Sequence, residues 1–370
     1  MKINSFHPPD RILMGPGPSN VHPRVLEAMA RPTVGHLDPE FIRMMDEMKT
    51  LLRETFLTQN EVTFPISGPG SLGMETAVVN MVEPGMKVAI CVNGAFGGRI
   101  REMVERFGGI PLVVDAPWGQ PIDPAKLEDT LSKNKDIKVV AFVHAETSTG
   151  ARSDIETLAK VAHKYDCLTI ADTVTSLGGI PVKVDNWKLD VVYSGSQKCL
   201  SCPPGLSPIT FNDRAVDHVK KRKTKVSSWF MYIGLVLSYW SGAKRTYHHT
   251  APINALYGLH EALLLVQEEG VENAWVRHRK NSELFRAGLE KIGLKTFVSG
   301  ECSLPELVIV TVPDGVNEAA VRDRLLNNFN IEIGSGLGQL AGKIWRIGLM
   351  GYTSNEKNIK LCLEALEAAL

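Results

Sequence analysis

The stretch YSGSQKCL at residues 193–200 decides the fold of this chain. It continues an apolar run that begins at Val191, and a Pro-Pro-Gly turn follows it at 203–205. This pattern predicts a short buried β-strand that ends in a tight loop, with Lys198 just past the carboxyl end of the strand. Burial lowers the pKa of a lysine at such a place, so that its amine can attack an aldehyde. Taken alone, Lys198 would more often be a solvated surface charge.

A carboxylate occupies the matching position one strand earlier in the sequence. Asp172 ends the apolar run 167–171 and is followed by small and hydroxyl residues. A lone Asp at this position would most simply cap a helix. Pyridoxal phosphate, however, needs a carboxylate beside its ring nitrogen and a lysine beside its aldehyde. Asp172 followed by Lys198 on the next strand therefore indicates a pyridoxal phosphate site.

The pattern around these residues predicts a doubly wound α/β fold. Short apolar runs at 87–92, 139–143, 168–171 and 191–193 alternate with helical patterns at 100–107, 127–133 and 155–165. Such alternation is typical of a mostly parallel central sheet flanked by helices. A helical pattern at 255–269 leads out of this unit, and the remainder mixes helices and strands. We therefore predict an N-terminal arm at 1–20, a large cofactor-binding domain at 21–268 and a smaller C-terminal α+β domain at 269–370.

Composition excludes some classes of partner. The chain has 370 residues, and its 41 basic side chains balance 41 acidic ones, which argues against binding to nucleic acid or to anionic membranes through net charge. Six scattered cysteines and an N-terminus without a signal or membrane segment predict free thiols in the cytoplasm. We interpret Cys199 and Cys202 as packing residues. His248 and His249 lack further ligands at metal spacing, and adjacent histidines usually diverge, so no metal site is predicted.

Six motifs in order give the chain a family resemblance. It resembles the class V, fold-type I pyridoxal-phosphate aminotransferases over nearly its whole length, and is most similar to the branch that transfers amino groups between alanine or serine and glyoxylate or pyruvate. The motifs that carry the resemblance are GPGPS at 15–19, SGPG at 67–70, HAETSTG at 144–150, SGSQK at 194–198, YHHT at 247–250 and WRIGL at 345–349.

The resemblance implies roles for individual residues. Lys198 would bond the aldehyde of pyridoxal 5'-phosphate and then move protons, and Asp172 would face the ring nitrogen. Phe96 and Val174 would cover the two faces of the ring. The residues implied for hydrogen bonds to the phosphate or the phenolic oxygen are Gly70, Ser71, Thr147 and Gln197. Several relatives carry a hydroxyl where this chain has Pro69, so one phosphate contact would either be missing or be supplied by another residue.

The resemblance also implies a substrate site and a homodimer. Arg346 would bind the substrate carboxylate with its forked guanidinium, and Gly17 would line the mouth of the pocket. Without the resemblance, an ion pair would be an equally good interpretation of Arg346. Tyr247 and Thr250 would complete the phosphate cup of the neighbouring subunit, so that the active site needs two chains.

The implied activity is a ping-pong transfer of an amino group from alanine or serine to glyoxylate, with small amino acids and keto acids as partners. An (S)-ureidoglycine–glyoxylate aminotransferase is the main alternative, because His36 falls where those enzymes place a substrate-reading side chain. Tyr247 favours the alanine or serine branch, since the ureidoglycine enzymes tend to have Asn there. A cysteine desulfurase would need a mobile loop cysteine, for which only Cys302 is a candidate. A non-enzymatic descendant would have lost Lys198, Asp172 or Arg346, and all three are present.

Overall fold

A computed structural model describes residues 3–242 and 244–370, so the first two residues of the predicted arm lie outside it. Its strands are β1 (Ile12–Leu13), β2 (Val62–Ser67), β3 (Lys87–Val92), β4 (Ile110–Asp115), β5 (Val139–Val143), β6 (Ala145–Glu146), β7 (Ala151–Arg152), β8 (Leu168–Asp172), β9 (Val191–Tyr193), β10 (Leu206–Phe211), β11 (Leu307–Thr311), β12 (Ile331–Glu332), β13 (Gly334–Ser335) and β14 (Ile344–Gly348). Its α-helices are α1 (Pro23–Met29), α2 (Pro39–Phe56), α3 (Gly70–Met81), α4 (Ala95–Arg106), α5 (Pro124–Lys133), α6 (Ile155–Lys164), α7 (Asp213–Lys220), α8 (Ile233–Trp240), α9 (Ile253–Glu269), α10 (Val271–Lys291), α11 (Glu318–Phe329) and α12 (Glu356–Ala369).

The central sheet has seven strands in the order β2-β10-β9-β8-β5-β3-β4. Strands β4, β3, β5, β8 and β9 are parallel to one another, and β10 runs antiparallel to both β9 and β2. Every residue of β5 and β8 is buried; β5 accordingly consists of one apolar run, whereas β8 includes Thr169 and ends at Asp172. The predicted α/β class with a mostly parallel sheet is confirmed.

Several helices begin earlier than their apolar patterns suggested. Helix α5 begins at Pro124 rather than at residue 127, because the Asp123 carboxylate accepts a hydrogen bond from the Ala125 N–H and caps the first turn. Helix α4 begins at Ala95, directly after Gly94, and so includes Phe96 in its first turn. The hydrophobic pattern of each helix becomes visible only after this polar or glycine-rich first turn.

A second unit follows α9. Strands β11, β14 and β13 form an antiparallel sheet, which packs with α10, α11 and α12 around a core of its own that includes Trp345 and Phe285. The N-terminal strand β1 joins this unit by pairing in parallel with β12, and Met14 is buried in the same core. We propose the boundary between large and small domains at residues 268/269, at the end of α9, because the two cores are separate there.

A third apolar cluster lies between the two cores and joins the large unit to the small one. It contains Ile180 and Cys199 from the first unit and Leu304, Leu307 and Met350 from the second. Among the residues that the model describes, no helix is both long and apolar enough to cross a membrane.

Candidate active site

The carboxyl ends of the parallel strands surround a cavity of about 200 Å³. Open α/β sheets bind their ligands at this end, because loops from successive strands meet there. Eight of the twelve predicted site residues line the cavity: Gly70, Ser71, Phe96, Thr147, Asp172, Val174, Gln197 and Lys198. The sheet thus brings together residues that are far apart in the sequence.

Lys198 lies in the loop after β9, and its amine points at the N-terminal segment. The ammonium Nζ donates a hydrogen bond to the carbonyl oxygen of Pro16. Burial lowers the pKa of Lys198 to about 8, and the nearby charge of Arg346 contributes to the same shift. A substantial fraction of the amine is therefore neutral near physiological pH, as a nucleophile or a base requires.

Gly17 lies against this amine. A Cβ built on Gly17 would lie 2.5 Å from Lys198 Nζ, and its φ of +105° is one that side-chain-bearing residues rarely adopt. The structure therefore places Gly17 beside the lysine, where any side chain would displace the amine.

Asp172 ends β8, and its side chain is buried. One carboxylate oxygen accepts a hydrogen bond from the Val174 N–H at 2.9 Å, and the other accepts one from the Tyr193 hydroxyl at 2.8 Å. Burial raises the pKa of Asp172 to about 6, while these two donors lower it. In the sequence, Tyr193 is recognisable only as part of an apolar strand. Its contact with Asp172 depends on the pairing of β8 with β9, which places the two residues opposite each other.

The first turn of α3 lies at one end of the cavity, where its N–H groups are suited to an anionic ligand. Gly70 and Ser71 begin this helix, where backbone N–H groups have no partner within the helix. Arg99 also lines the cavity, and its guanidinium lies 3.4 Å from the Ser71 hydroxyl and 4.8 Å from the centre of the Phe96 ring. The amide oxygen Oε1 of Gln197 is buried without a hydrogen-bond partner among the described residues. Arg99 was not predicted, although its position three residues after Phe96 on one helix could have indicated it.

Glu146 joins two walls of the cavity. One of its oxygens accepts hydrogen bonds from the N–H groups of Phe96 and Gly97, and the other accepts two from Ser148. Burial raises the pKa of Glu146, and these four donors oppose that shift. The carboxyl group therefore holds the first turn of α4, with Phe96, against the loop that carries Thr147. Glu146 belongs to the motif at 144–150, but no role was predicted for it from the sequence.

Arg346 is buried on β14, with 8% of its surface exposed. Its Nε donates to the Ser335 carbonyl at 2.6 Å, and Nη1 lies 3.4 Å from the Thr147 carbonyl. Burial lowers the pKa of Arg346 to about 10, still well above neutrality. In the described part of the chain no carboxylate lies at ion-pair distance from this guanidinium. A buried arginine with only carbonyl partners retains donors for a carboxylate ligand.

Tyr247 and Thr250 do not line this cavity. Tyr247 is 62% exposed, and its hydroxyl lies 3.4 Å from the Thr250 hydroxyl. The expectation that His248 and His249 diverge is wrong, because their Nδ1 atoms lie 2.8 Å apart, and His249 Nε2 lies 2.9 Å from the Ser67 hydroxyl at the end of β2. Within residues 3–242 and 244–370, no three His, Cys, Asp or Glu side chains group as metal ligands.

The remaining predicted features lie outside the cavity. His36 contacts Tyr247, with 5.0 Å between their ring centres. Cys199 and Cys202 are buried free thiols, and Cys302 lies in a short 3-10 turn of the second unit. No cysteine lines the cavity.

The residues present fit pyridoxal 5'-phosphate. The cavity offers a lysine for the aldehyde, a buried carboxylate for the ring nitrogen and apolar side chains, Phe96 and Val174, for the ring faces. It also offers free helix amides with Arg99 for a phosphate, and an unpartnered amide oxygen at Gln197. A side chain at Gly70 would meet Val174 at 3.0 Å, so glycine leaves the phosphate end open.

Comparison with known proteins agrees with this geometry. Residues 12–357 match the family described as Aminotransferase class-V. The (S)-ureidoglycine–glyoxylate transaminase of Bacillus subtilis (strain 168) is 39% identical, over 98% of this chain and 91% of that protein. The alanine–glyoxylate aminotransferase of Rattus norvegicus is 40% identical, over 98% of this chain and 88% of that protein. The crystal structure of an alanine–glyoxylate aminotransferase from Nostoc sp. superposes with a TM-score of 0.97 at 46% identity, covering 100% and 97% of the two chains.

Proposed function

Since this chain belongs to the class V aminotransferases, which depend on pyridoxal 5'-phosphate, we propose that it transfers the amino group of alanine or serine to glyoxylate. Glycine would be formed, together with pyruvate from alanine or hydroxypyruvate from serine. The observation that carries the proposal is that Lys198 and Asp172 line one small cavity, while the Arg346 guanidinium, which has no carboxylate partner in the described part of the chain, contacts the carbonyl of Thr147 in the cavity wall. Relatives named for glyoxylate as acceptor support the acceptor assignment.

The chain's own residues divide the work of the reaction. When bound, pyridoxal phosphate supplies an aldehyde for the substrate nitrogen and a ring that makes the substrate Cα–H acidic. Arg346 would bind the substrate carboxylate through two parallel hydrogen bonds. Lys198, neutral in part because of its burial, would take the proton from the substrate Cα.

Other residues hold the reacting groups in place. Asp172 would hold a proton on the ring nitrogen, and the first turn of α3 with Arg99 would hold the phosphate. Arg99 would supply the contact that Pro69 cannot make. Gly17 and the Pro16 carbonyl restrict the space beside Lys198, which favours substrates with small side chains.

The choice of donor can be tested by a half-reaction scan. Single amino acids are added to the holoenzyme without an acceptor, and the visible absorbance of the bound cofactor is followed. We expect alanine and serine to remove this absorbance within seconds to minutes, and glyoxylate to act as acceptor in the second half-reaction. If neither amino acid reacts while an α-amino acid with a ureido group does, the donor assignment is wrong.

A ureidoglycine donor is the second candidate. It is favoured by the 39% identity to the Bacillus subtilis relative, which nearly equals the identity to the rat enzyme. Tyr247 argues for alanine or serine instead, and His36 lies against it. If Tyr247 and His36 recognise the side chain of the donor, Tyr247→Asn should raise the rate with the ureido substrate relative to the rate with alanine or serine. An unchanged ratio of these rates would exclude Tyr247 from donor choice.

We also infer a homodimer whose active sites are shared. Tyr247 and Trp229 are each 62% exposed, although they are large aromatic residues, and Tyr247 does not line the cavity of its own chain. Mixing and refolding inactive Lys198→Ala chains with Tyr247→Ala chains tests this arrangement. If Tyr247 serves the partner's site, each mixed dimer contains one site without either substitution, and activity returns. No recovery in verified mixed dimers would show that Tyr247 acts within its own chain.

A further inference from the structure

Tyr193 forms a hydrogen bond with Asp172 but does not line the cavity of the active site. The two residues lie opposite each other on β9 and β8, and both side chains are buried, with 0% and 4% of their surfaces exposed. The Tyr193 hydroxyl donates to one oxygen of Asp172 at 2.8 Å, while the Val174 N–H donates to the other at 2.9 Å. Tyr193 does not line the cavity, so it can act on a bound ligand only through Asp172.

The hydrogen bond has a fixed direction. Burial and the neighbouring Asp172 raise the pKa of the Tyr193 phenol well above its usual range, so at neutral pH the phenol keeps its proton and donates it to the carboxylate. A donor on each oxygen favours the ionised carboxylate over the carboxylic acid. These donors work against burial, which favours the neutral acid.

The donors also fix the orientation of the carboxylate. With one hydrogen bond to each oxygen, rotation of the carboxyl group about its terminal bond would break both bonds at once. Loss of the phenol would leave only the Val174 N–H to hold the group. The carboxylate could then rotate, and its ionised form would lose one of its two donors.

We propose that Tyr193 is a positioning residue that keeps the Asp172 carboxylate oriented toward the ring nitrogen of the cofactor and in its ionised form. This inference rests on the proposed role of Asp172 in the transaminase. Tyr193 belongs to the buried strand and reaches the chemistry through one hydrogen bond between side chains.

The test compares Tyr193→Phe with a matched control, Tyr165→Phe. Both variants remove a phenol hydroxyl that lies near a carboxylate, but Tyr165 contacts Glu128 at 3.4 Å, remote from the cavity. For Tyr193→Phe we expect kcat to fall about 10- to 100-fold, the usual effect of losing a hydrogen bond to a charged group, with KM within a factor of two. Tyr165→Phe should match the wild type.

Two further measurements on Tyr193→Phe do not depend on the catalytic rate. The visible circular dichroism of the bound cofactor should change in Tyr193→Phe, because its ring is held less firmly. The pH at which the visible spectrum titrates should also shift, because the Asp172 carboxylate has lost a donor and protonates at higher pH. If Tyr193→Phe lowers the melting temperature but leaves the circular dichroism and the titration unchanged, the role of the hydroxyl is only structural. That result would overturn the inference.

A double-mutant cycle with Asp172→Asn separates this inference from the proposed function. If Tyr193 acts only through Asp172, adding Tyr193→Phe to Asp172→Asn should cost less than a further factor of two in kcat. If the two substitutions lower kcat by independent factors that multiply, the role of Tyr193 is refuted while that of Asp172 stands. The same conclusion follows if Tyr193→Phe is fully active and Asp172→Asn is inactive. Full activity of Asp172→Asn would instead refute the assigned role of Asp172 itself, and the inference with it.

Discussion

Glu306 is a buried carboxyl group that should make this protein less stable as the pH rises. It directly precedes β11, its surface is 0% exposed, and neither of its side-chain oxygens has a hydrogen-bond partner among the described residues. A Cβ built on Gly179 would lie 3.3 Å from Glu306 Cβ and 2.6 Å from Cys199 Sγ, which places the carboxyl at the apolar junction of the two units. Burial raises the pKa of Glu306 to about 8, and the distant charge of Arg152 offsets this only slightly.

The sign and the size of the effect follow from linkage. The folded form keeps its proton up to about pH 8, whereas the unfolded chain releases it near its ordinary pKa of 4.5. Stability is therefore unaffected below pH 4.5 and falls as the pH rises from there to about 8. At about 1.36 kcal/mol per pKa unit, the cost is below ~1 kcal/mol at pH 5 and ~3 kcal/mol at pH 7.

Glu306→Gln should remove this cost, because the amide has a similar shape and never ionises. For 370 residues the unfolding entropy is about 0.8 kcal/mol per kelvin, so the variant should melt about 4 °C higher than the wild type at pH 7 and less than ~1 °C higher at pH 5. Melting of the holoenzyme is recorded across this pH range at constant cofactor concentration. The control is Glu367→Gln on the exposed side of α12, which should show no such trend. An equal shift at both pH values, or a lower melting temperature at pH 7, would show that Glu306 has a partner in the folded protein and refute the reasoning.

Other substitutions test the site itself. Lys198→Ala should abolish transamination and the borohydride-trapped pyridoxyl adduct, while some cofactor stays bound noncovalently; an adduct on another lysine would contradict the assignment. Gly17→Ala should lower kcat more than 100-fold without lowering the melting temperature by more than a few degrees, because its Cβ would occupy the place of the Lys198 amine. Arg346→Gln should raise KM for amino acid substrates about 100-fold and leave cofactor affinity within a factor of three, measured by equilibrium dialysis. Arg99→Met should instead weaken cofactor binding, raising the dissociation constant of the cofactor about 10-fold. An unchanged dissociation constant would show that Arg99 does not contact the phosphate.

The sequence predicted those parts of the fold that have a periodic or apolar signal. The strands at 87–92, 139–143 and 191–193 have the bounds that their apolar runs indicated, because burial on both faces requires continuous apolar sequence. The pairing of β1 with β12 could not be predicted. Two-residue strands more than 300 residues apart carry no periodicity, and only the packing of Met14 into the second core reveals their partnership.

The site was predictable where a residue's chemistry is rare and its position follows a strand. Lys198 and Asp172 could be found because charged residues seldom end apolar runs. Tyr193 and Glu146 were missed because their roles depend on hydrogen bonds across strands and between loops. A tyrosine within an apolar strand resembles any core aromatic until the register of β8 and β9 is known.

The buried charged side chains of this protein differ in their hydrogen-bond partners. Glu146 has four donors, so its carboxylate is satisfied within the fold and fastens two walls of the cavity together. Among the described residues Arg346 has only carbonyl partners and Lys198 donates to one carbonyl, so each retains donors for a ligand. Glu306 has no side-chain hydrogen-bond partner among the described residues and lies away from the cavity, so its burial lowers stability at pH values where the unfolded chain would ionise. Unsatisfied hydrogen-bonding capacity therefore marks Lys198 and Arg346 as groups that can bind a ligand, whereas Asp172, which has a donor on each oxygen, is identified as a site residue by the cavity that it lines.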